Sequence, residues 1–174
     1  MQRVLVIGSG GAGKSTFAKR LGAATGLPVV HLDACYWRAG WQAPPKADWV
    51  RTIDELAARA AWIMDGNYGG TLDRRLAACD TVVFLDLPRA VCLWRAVRRA
   101  ARYWGRTRPD MAPGCPETLT WEFVHWIWTY PRLRRPDILR RLDALAATKQ
   151  VVILGSTPAV ERFLRDNARR PRTV

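Results

Sequence analysis

The chain has 174 residues, the size of a single domain, and most of its formal net charge of +13 comes from arginines in residues 88–174. The cysteines at positions 35, 79, 92 and 115 form no C-x-x-C pair, and no apolar run approaches the roughly 20 residues of a membrane span. These features argue against a disulfide scaffold, a cysteine zinc site and a membrane protein, and we expect a cytoplasmic protein without a signal peptide.

Five short apolar runs predict five β-strands. In chain order they are "RVLVIG", "PVVHLD", "WIMD", "TVVFLD" and "QVVILG", at residues 3–8, 28–33, 62–65, 81–86 and 150–155. Because helical stretches separate these runs, we expect an α/β fold with a parallel sheet covered by helices. The predicted core consists of Val4–Ile7, Val29–Leu32, Trp62–Met64, Val82–Leu85 and Val151–Leu154.

Helices are predicted between the strands from apolar spacing and from end signals. The stretch "GKSTFAKRLGAAT" follows the first strand, Asp48 is expected to cap a second helix, Pro88 opens a third, and the last begins near Pro158. Prolines and glycines in the insert "GRTRPDMAPGCPE" (105–117) predict an irregular loop. The next helix, "LTWEFVHWIWTY", has aromatic residues all round and is expected to pack on both sides.

A glycine-rich stretch between the first strand and the first helix fits the pattern G-x-x-x-x-G-K-[ST]. Its glycines let backbone N–H groups approach a phosphate, and the N-terminus of the next helix adds partial positive charge. In this pattern Lys14 reaches the β- and γ-phosphates, and the Ser15 hydroxyl binds Mg²⁺. We therefore predict a nucleoside triphosphate site. Its residues are Gly8, Ser9, Gly10, Gly11, Ala12, Gly13, Lys14, Ser15 and Thr16.

A carboxylate at the end of a neighbouring strand is expected to complete the Mg²⁺ site. Asp33, Asp65 and Asp86 each end a predicted strand, and the carboxyl ends of parallel strands share one edge of a sheet. Each of them could instead cap the following helix, so spacing leaves the choice among the three open. His31 and His125 have no ligand-spaced partners and are expected to be structural.

Longer motifs resemble known phosphotransferases. "GSGGAGKST", "WIMDGNY" and "VVFLDLPRAVCLWRAVRR" are similar to the adenylate-kinase group of P-loop proteins. "HLDACYWRAGW", "MDGNYGGTLDRRL", "GRTRPDMAPGCPE" and "FVHWIWTYPRLRRPDIL" resemble the bacterial DNA topology modulation proteins, predicted kinase-like ATPases, over about Val4 to Ser156. The resemblance implies a three-layer P-loop fold with strand order 2-3-1-4-5 in one domain, residues 1–174. It also implies an acceptor-side segment at about 34–61, and a short lid with the aromatic helix at about 100–135.

The adenylate-kinase resemblance implies roles on the nucleotide side. Lys14 matches the phosphate lysine, while Ser15 and Asp65 match the residues that organise Mg²⁺. Arg95 matches an arginine that packs on the adenine ring, and Arg99 matches one that contacts the transferring phosphates. The spacing of these two arginines places them on one helix face, which agrees with a shared ligand.

The acceptor side and the lid supply the remaining candidates. Asp33 resembles the acceptor-side aspartate of short kinases that phosphorylate hydroxylated molecules, where a carboxylate can take the acceptor's proton. Arg106 and Arg108, with arginines 132, 134 and 135, are candidates to close over the nucleotide. Gly69 stands where adenylate kinases grip a monophosphate with an arginine, and Arg74 is the nearest replacement. The predicted catalytic residues are Lys14, Asp33, Asp65, Arg99 and Arg106.

Three function classes follow from these features. The leading interpretation is a kinase or ATPase that binds ATP with Mg²⁺ and transfers the γ-phosphate to a small acceptor or to water. A DNA-associated ATPase is the alternative suggested by the basic second half and by the family name, although arginines on solvated helix faces would give the same charge. A nucleotide-sensing module is the third class. We expect a monomer or homodimer, and a lid at 105–117 that ATP orders.

Overall fold

The computed structural model describes residues 1–168, which form an α/β structure around one five-stranded sheet. All neighbouring strands are parallel, and their order, β2-β3-β1-β4-β5, confirms the predicted one. The strands are β1 (Arg3–Gly8), β2 (Val29–His31), β3 (Trp62–Asp65), β4 (Thr81–Leu85) and β5 (Gln150–Leu154).

Helices connect the strands and cover both faces of the sheet. In chain order they are α1 (Lys14–Thr25), α2 (Leu32–Tyr36), α3 (Lys46–Ala57), α4 (Leu72–Ala78), α5 (Arg89–Tyr103), α6 (Trp121–Leu133), α7 (Arg135–Leu145) and α8 (Thr157–Ala168). A short 3₁₀ helix, Gly69–Thr71, leads into α4. Within residues 1–168, none of these helices is long and apolar enough to span a membrane.

The sheet lies between two apolar clusters, which confirms the predicted three-layer arrangement. One face of β1, including Leu5 and Ile7, packs with buried residues of α3, α4 and α7. Val4 and Val6 point to the opposite face and pack with buried residues of α1, α5 and α8. Because side chains alternate along a strand, β1 supplies both clusters and is buried on both faces.

The second and fifth strands differ from their predicted form. β2 stops at His31 because the chain turns into α2 at Leu32, so Asp33 lies in the first turn of a helix rather than at the end of a strand. β5 is an edge strand that pairs only with β4, and Ile153 is 48% exposed. The predicted core range Val151–Leu154 is therefore wrong at Ile153, while Leu154 is buried.

Two helix predictions also need correction. Asp48 does not cap α3, because the helix begins at Lys46 after Pro45 and Asp48 forms an ion pair with Arg51. The aromatic helix α6 buries only one face within the described chain, where Ile127 is fully buried. Its opposite face is open, with Trp121 75% and Trp128 49% exposed.

Candidate active site

A cleft of about 1310 Å³ lies at the carboxyl edge of the sheet. The P-loop, defined here as residues 8–15, lines it together with Asp65 and Leu85, where β3 and β4 end. Helix α5 and the loop between α5 and α6 (residues 104–120, the α5–α6 loop) line its other sides. Parallel sheets collect their functional groups at this edge, so the cleft is the candidate active site.

The P-loop approaches α5 so closely that side chains are excluded. Gly11 has φ 74°, and a Cβ there would lie 2.0 Å from the backbone oxygen of Cys92. Gly13 has φ 92° and immediately precedes α1 as its N-cap. Both positions need glycine, for space or for the left-handed backbone. The predicted pattern therefore has the strand–loop–helix context of a phosphate-binding loop.

Lys14 is held inside the P-loop. Its Nζ donates hydrogen bonds to the backbone oxygens of Gly8 and Ser9, at 3.1 and 3.0 Å. Burial lowers the pKa of Lys14, and the carboxylates of Asp33 and Asp65 act in the opposite direction. Lys14 therefore lies between the P-loop backbone and the carboxylates of Asp33 and Asp65. A cation that binds phosphate suits this position.

A side-chain amide that the sequence analysis missed anchors the P-loop to the chain beyond β3. Asn67 Nδ2 donates to the backbone oxygen of Gly8 at 2.7 Å, and the Gly8 N–H donates to Asn67 Oδ1 at 3.2 Å. The paired hydrogen bonds fix the end of β1 relative to the segment that follows Asp65. Asn67 also lines the cleft.

Asp65 and Ser15 offer oxygen ligands on the same cleft. Asp65 is buried, and its Oδ1 lies 2.7 Å from Nδ1 of His31, so this histidine holds the carboxylate in place. Hydroxyl and carboxylate oxygens suit Mg²⁺, which usually keeps several waters and only one or two protein ligands beside substrate phosphates. Within residues 1–168, no cluster of three or more His, Cys, Asp or Glu side chains could hold a metal ion.

The other two candidate aspartates differ in position. Asp33 lines the cleft and accepts a hydrogen bond from the Tyr68 hydroxyl at 2.6 Å. Burial raises the pKa of Tyr68, and the neighbouring Asp33 raises it further, so the phenol stays a proton donor to the carboxylate. Asp86 does not line the cleft and accepts from Arg135 Nε with both carboxylate oxygens at 2.9 Å. Position therefore favours Asp33 and Asp65 over Asp86.

Both arginines predicted on α5 line the cleft. Arg95 donates from Nη1 to the backbone oxygen of Ala12 at 3.3 Å and from Nη2 to Thr157 Oγ1 at 2.9 Å. Arg99 Nε donates to Glu117 Oε1 at 2.9 Å. Arg95 is thus fixed against the P-loop, while Arg99 is tied to the α5–α6 loop.

Arg108 carries the charge of the α5–α6 loop into the cleft. Its Nε lies 2.5 Å from Glu117 Oε2, and its Nη1 lies 3.0 Å from Asp110 Oδ2. Glu117 is buried and also binds Arg99, so one carboxylate holds two arginines of the cleft. Burial alone would raise the pKa of Asp110, but Arg108 and the Ser15 hydroxyl hold it below its usual value. The loop therefore reaches the P-loop.

The remaining predicted arginines lie outside the cleft. Arg106 has an exposed side chain on the α5–α6 loop and does not line the cleft, where Arg108 takes its place. Arg132 and Arg134 are exposed and also absent from the lining. Arg135 is paired with Asp86. Among the arginines that the sequence proposed for closure over a nucleotide, Arg108 alone is positioned for it in this conformation.

The α5–α6 loop is irregular, as predicted, and rests on the segment after α2. The Gly40 N–H donates to the Gly114 oxygen at 2.9 Å, and Trp41 Nε1 donates to the Pro116 oxygen at 3.2 Å. Three buried residues of the loop pack against two partly buried tryptophans: Met111, Ala112 and Cys115 against Trp37 and Trp41. The loop thus covers the acceptor-side part of the cleft.

We predict that nucleotide orders this loop. Few of its backbone groups are in regular structure, so the empty protein is expected to exchange amide hydrogens quickly across residues 105–117. A non-hydrolysable ATP analogue should slow that exchange by engaging Arg99 and Arg108. Hydrogen exchange followed by mass spectrometry measures this, with α7 as the internal reference. Equal protection with and without the analogue would rule out a lid.

Two adjacent arginines on α4 have opposite surroundings. Arg74, the expected replacement for an acceptor-binding arginine, is exposed and pairs with Asp54 at 2.7 Å, outside the cleft. Arg75 is fully buried and donates to the backbone oxygens of residues 66, 67, 68 and 71. Burial lowers the pKa of Arg75 to about 10. Arg75 therefore supports the segment that carries Asn67 and Tyr68.

The Arg75→Ala substitution is expected to destabilise the protein by at least about 2 kcal/mol, because several buried backbone oxygens lose their donor. The matched control is Arg74→Ala, which removes only an exposed ion pair and should cost less than about 1 kcal/mol. Denaturant unfolding of both variants measures the difference. Equal losses of stability would show that Arg75 does not support this segment.

Comparisons with known proteins show the fold. The sequence matches no protein-family model and no curated protein. The structure is similar to a sugar kinase from Janibacter sp., with TM-score 0.52 and 19% identity over 95% of this chain and 93% of that one. A gluconokinase from Sinorhizobium meliloti aligns with TM-score 0.52 and 16% identity over 96% and 89%. Shikimate kinase from Acinetobacter baumannii, in complex with shikimate, aligns with TM-score 0.52 and 15% identity over 95% and 90%.

Proposed function

We propose that this protein is an ATP-dependent phosphotransferase that acts on the hydroxyl group of a small molecule. The observation that carries the proposal is a single cleft lined by Lys14, Ser15, Asp65, Asp33 and Arg99. Phosphate-binding, metal-binding and proton-accepting groups thus face one another. The likeness in fold to sugar, gluconate and shikimate kinases supports this reading. At a finer level, we propose a place among the kinase-like proteins of the DNA topology modulation group.

The nucleotide side of the cleft is the P-loop with α5. Backbone N–H groups of the P-loop and Lys14 would bind the phosphates of ATP, and Arg95 would pack on the base. Ser15 and Asp65 would hold Mg²⁺, which when bound neutralises charge on the β- and γ-phosphates. His31 keeps the Asp65 carboxylate in place. The side chains that would bind ATP and Mg²⁺ belong to β3 or to helices α1 and α5, which pack on the sheet.

The transfer step is assigned to Asp33 and to the two arginines that Glu117 binds. Asp33 accepts the proton of the acceptor hydroxyl, and the Tyr68 hydroxyl orients this carboxylate. Arg99 and Arg108 stabilise the negative charge on the transferring phosphoryl group, and Glu117 positions both of them. The proposed catalytic set therefore contains Arg108 in place of Arg106.

A monophosphate acceptor of the AMP type fits the cleft poorly. Gly69 offers no side chain to grip a phosphate, and Arg74 is engaged by Asp54 outside the cleft.

Hydrolysis of ATP is expected to be slower than transfer to the acceptor because the α5–α6 loop covers the acceptor side and limits access of water.

The direct test is ADP release from Mg·ATP in the presence of single sugars, nucleosides and small alcohols, with the product identified by intact mass. We expect one class of hydroxyl compound to raise the rate and to gain a phosphoryl group. Release that no compound changes would point to a plain ATPase or to a nucleotide-sensing module.

A second candidate, a DNA-associated ATPase, is favoured by one surface. Arg102 and Arg106 are exposed without a carboxylate partner among residues 1–168, next to Trp104, which is 69% exposed. Basic and aromatic side chains together suit a nucleic-acid strand. This candidate predicts DNA affinity that falls steeply with salt and an ATPase rate that DNA raises. An ATPase rate unaffected by DNA would eliminate it.

A further inference from the structure

The acceptor side of the cleft has an unusual lining. Residues 29–80 contribute the rings of Trp37, Trp41 and Tyr68, named here the aromatic wall, together with the carboxylates of Asp33 and Asp65. Gly66 and Asn67 complete this part of the lining, which contains no lysine or arginine. Rings and negative charge therefore face the position where an acceptor must lie.

Backbone strain marks two residues of the aromatic wall. Trp41 has φ 60° and Tyr68 has φ 32°, and within residues 1–168 they are the only non-glycine residues with positive φ. Bulky side chains rarely adopt this conformation, and such strain persists where surrounding contacts enforce it, often at functional sites. Here Trp41 Nε1 donates to the backbone oxygen of Pro116, and Arg75 Nη2 donates to the backbone oxygen of Tyr68 at 2.9 Å. Both outliers lie in the cleft rather than at a remote turn.

The rings of the aromatic wall pack against one another and against Tyr36. The rings of Trp37 and Trp41 meet edge to face with centroids 5.3 Å apart. Tyr36 does not line the cleft. Its ring centroid lies 4.8 Å from that of Trp37 and 4.6 Å from that of Tyr68. Rings that support one another in this way lose less conformational freedom when a flat ligand face packs on them.

The positive charge of the cleft belongs to other elements. Its basic lining residues come from α1, from α5 and from the α5–α6 loop. Arg108 is the one from the loop that covers the aromatic wall, and it is already paired with Asp110 and Glu117. An acidic acceptor would therefore meet the Asp33 carboxylate, to which the proposed function assigns no metal, without a free cation on the wall itself.

We infer that the acceptor is a hydroxylated ring that carries no negative charge, such as a sugar, an amino sugar or a nucleoside. The inference rests on the proposed function. One face of the ring packs on the aromatic wall while a hydroxyl approaches Asp33. The hydroxyl oxygen forms a bond to the γ-phosphorus as the bond to the β–γ bridging oxygen breaks; its proton passes to Asp33, and ADP leaves.

The test compares acceptors that share a skeleton and differ in charge. Glucose, glucosamine and glucuronate, which all form six-membered rings, make up one set, and adenosine with AMP forms the other. ADP release is measured with Mg·ATP and the wild-type chain, and each product is identified by mass. We expect the neutral or cationic members of a set to be used with kcat/KM at least about tenfold higher than the acid, because like charges in the cleft repel.

The outcomes separate the inference from the proposed function. Preference for glucuronate or AMP, or equal use within a set, would overturn the inference and leave the phosphotransferase intact. If none of the five compounds raised ADP release while ATP still bound, the inference would fail, and the proposed function would be decided separately by the wider screen of sugars, nucleosides and small alcohols.

Substitutions in the aromatic wall test whether it binds the acceptor. Trp37→Ala and Trp41→Ala are expected to lower kcat/KM for the best acceptor by about tenfold or more, mainly through KM, because a stacking surface is lost. The control Trp121→Ala removes a tryptophan that is 75% exposed and lies outside this cleft, and should leave the acceptor KM unchanged. Unchanged acceptor KM values in both wall variants, with folding verified by denaturant unfolding, would contradict the assignment.

Discussion

Replacing Lys14 with alanine is expected to lower the rate of ATP turnover by about 10²–10³-fold. Lys14 is the one lysine of the P-loop. Its ammonium group lies within hydrogen-bond distance of the Gly8 and Ser9 backbone oxygens. Without it, the P-loop keeps only its backbone N–H groups to offset the charge that develops on the transferring phosphoryl group. Removal of the ammonium group takes a hydrogen-bond donor from the Gly8 and Ser9 backbone oxygens, so we expect a small loss of stability and a fold that persists.

Turnover by Lys14→Ala is measured beside Lys46→Ala, which removes an exposed lysine at the start of α3. The control should behave as wild type in both ATP turnover and denaturant unfolding. A Lys14→Ala protein that is folded and retains full ATP turnover would show that the cleft is not the nucleotide site.

The Asp33→Asn substitution is expected to lower the rate of phosphoryl transfer to the acceptor by about 10²–10⁴-fold. The amide keeps the size of the carboxylate but cannot accept the hydroxyl proton. ATP binding should persist, because Asp33 is not among the groups assigned to bind the phosphates, the base or Mg²⁺. Single-turnover kinetics separates the transfer step from binding.

The control for this substitution is Asp54→Asn, which alters an exposed aspartate that pairs with Arg74 outside the cleft. It should leave the transfer rate unchanged. Equal transfer rates for Asp33→Asn and wild type would show that Asp33 is not catalytic. Another group would then have to accept the proton of the acceptor hydroxyl.

The fold was predictable because its signals are local, since each strand is a short apolar run. The candidate phosphate site could be proposed for the same reason, because its glycines, Lys14 and Ser15 lie within eight consecutive residues. The predictions that failed depended on neighbours far along the chain. Ile153 is exposed because β5 has only one partner strand, which the run "QVVILG" alone does not reveal.

The supporting contacts of the site could not be read from the sequence for the same reason. Asn67 is 59 residues from Gly8, and His31 is 34 residues from Asp65. Both residues lie in quoted motifs, but no spacing rule links them to their partners. Arg74 and Arg75 are adjacent and chemically identical, and only the packing of α4 decides which one is buried.

The fate of the γ-phosphate tests the central claim most directly. The protein is incubated with Mg²⁺, ATP labelled in the γ-phosphate, and a pooled mixture of sugars, nucleosides and small alcohols, with Lys14→Ala run in parallel. The proposed activity predicts that label enters an organic phosphate ester faster than inorganic phosphate, and that the variant abolishes this transfer. Label that enters inorganic phosphate alone, at a rate the mixture does not change, would contradict it.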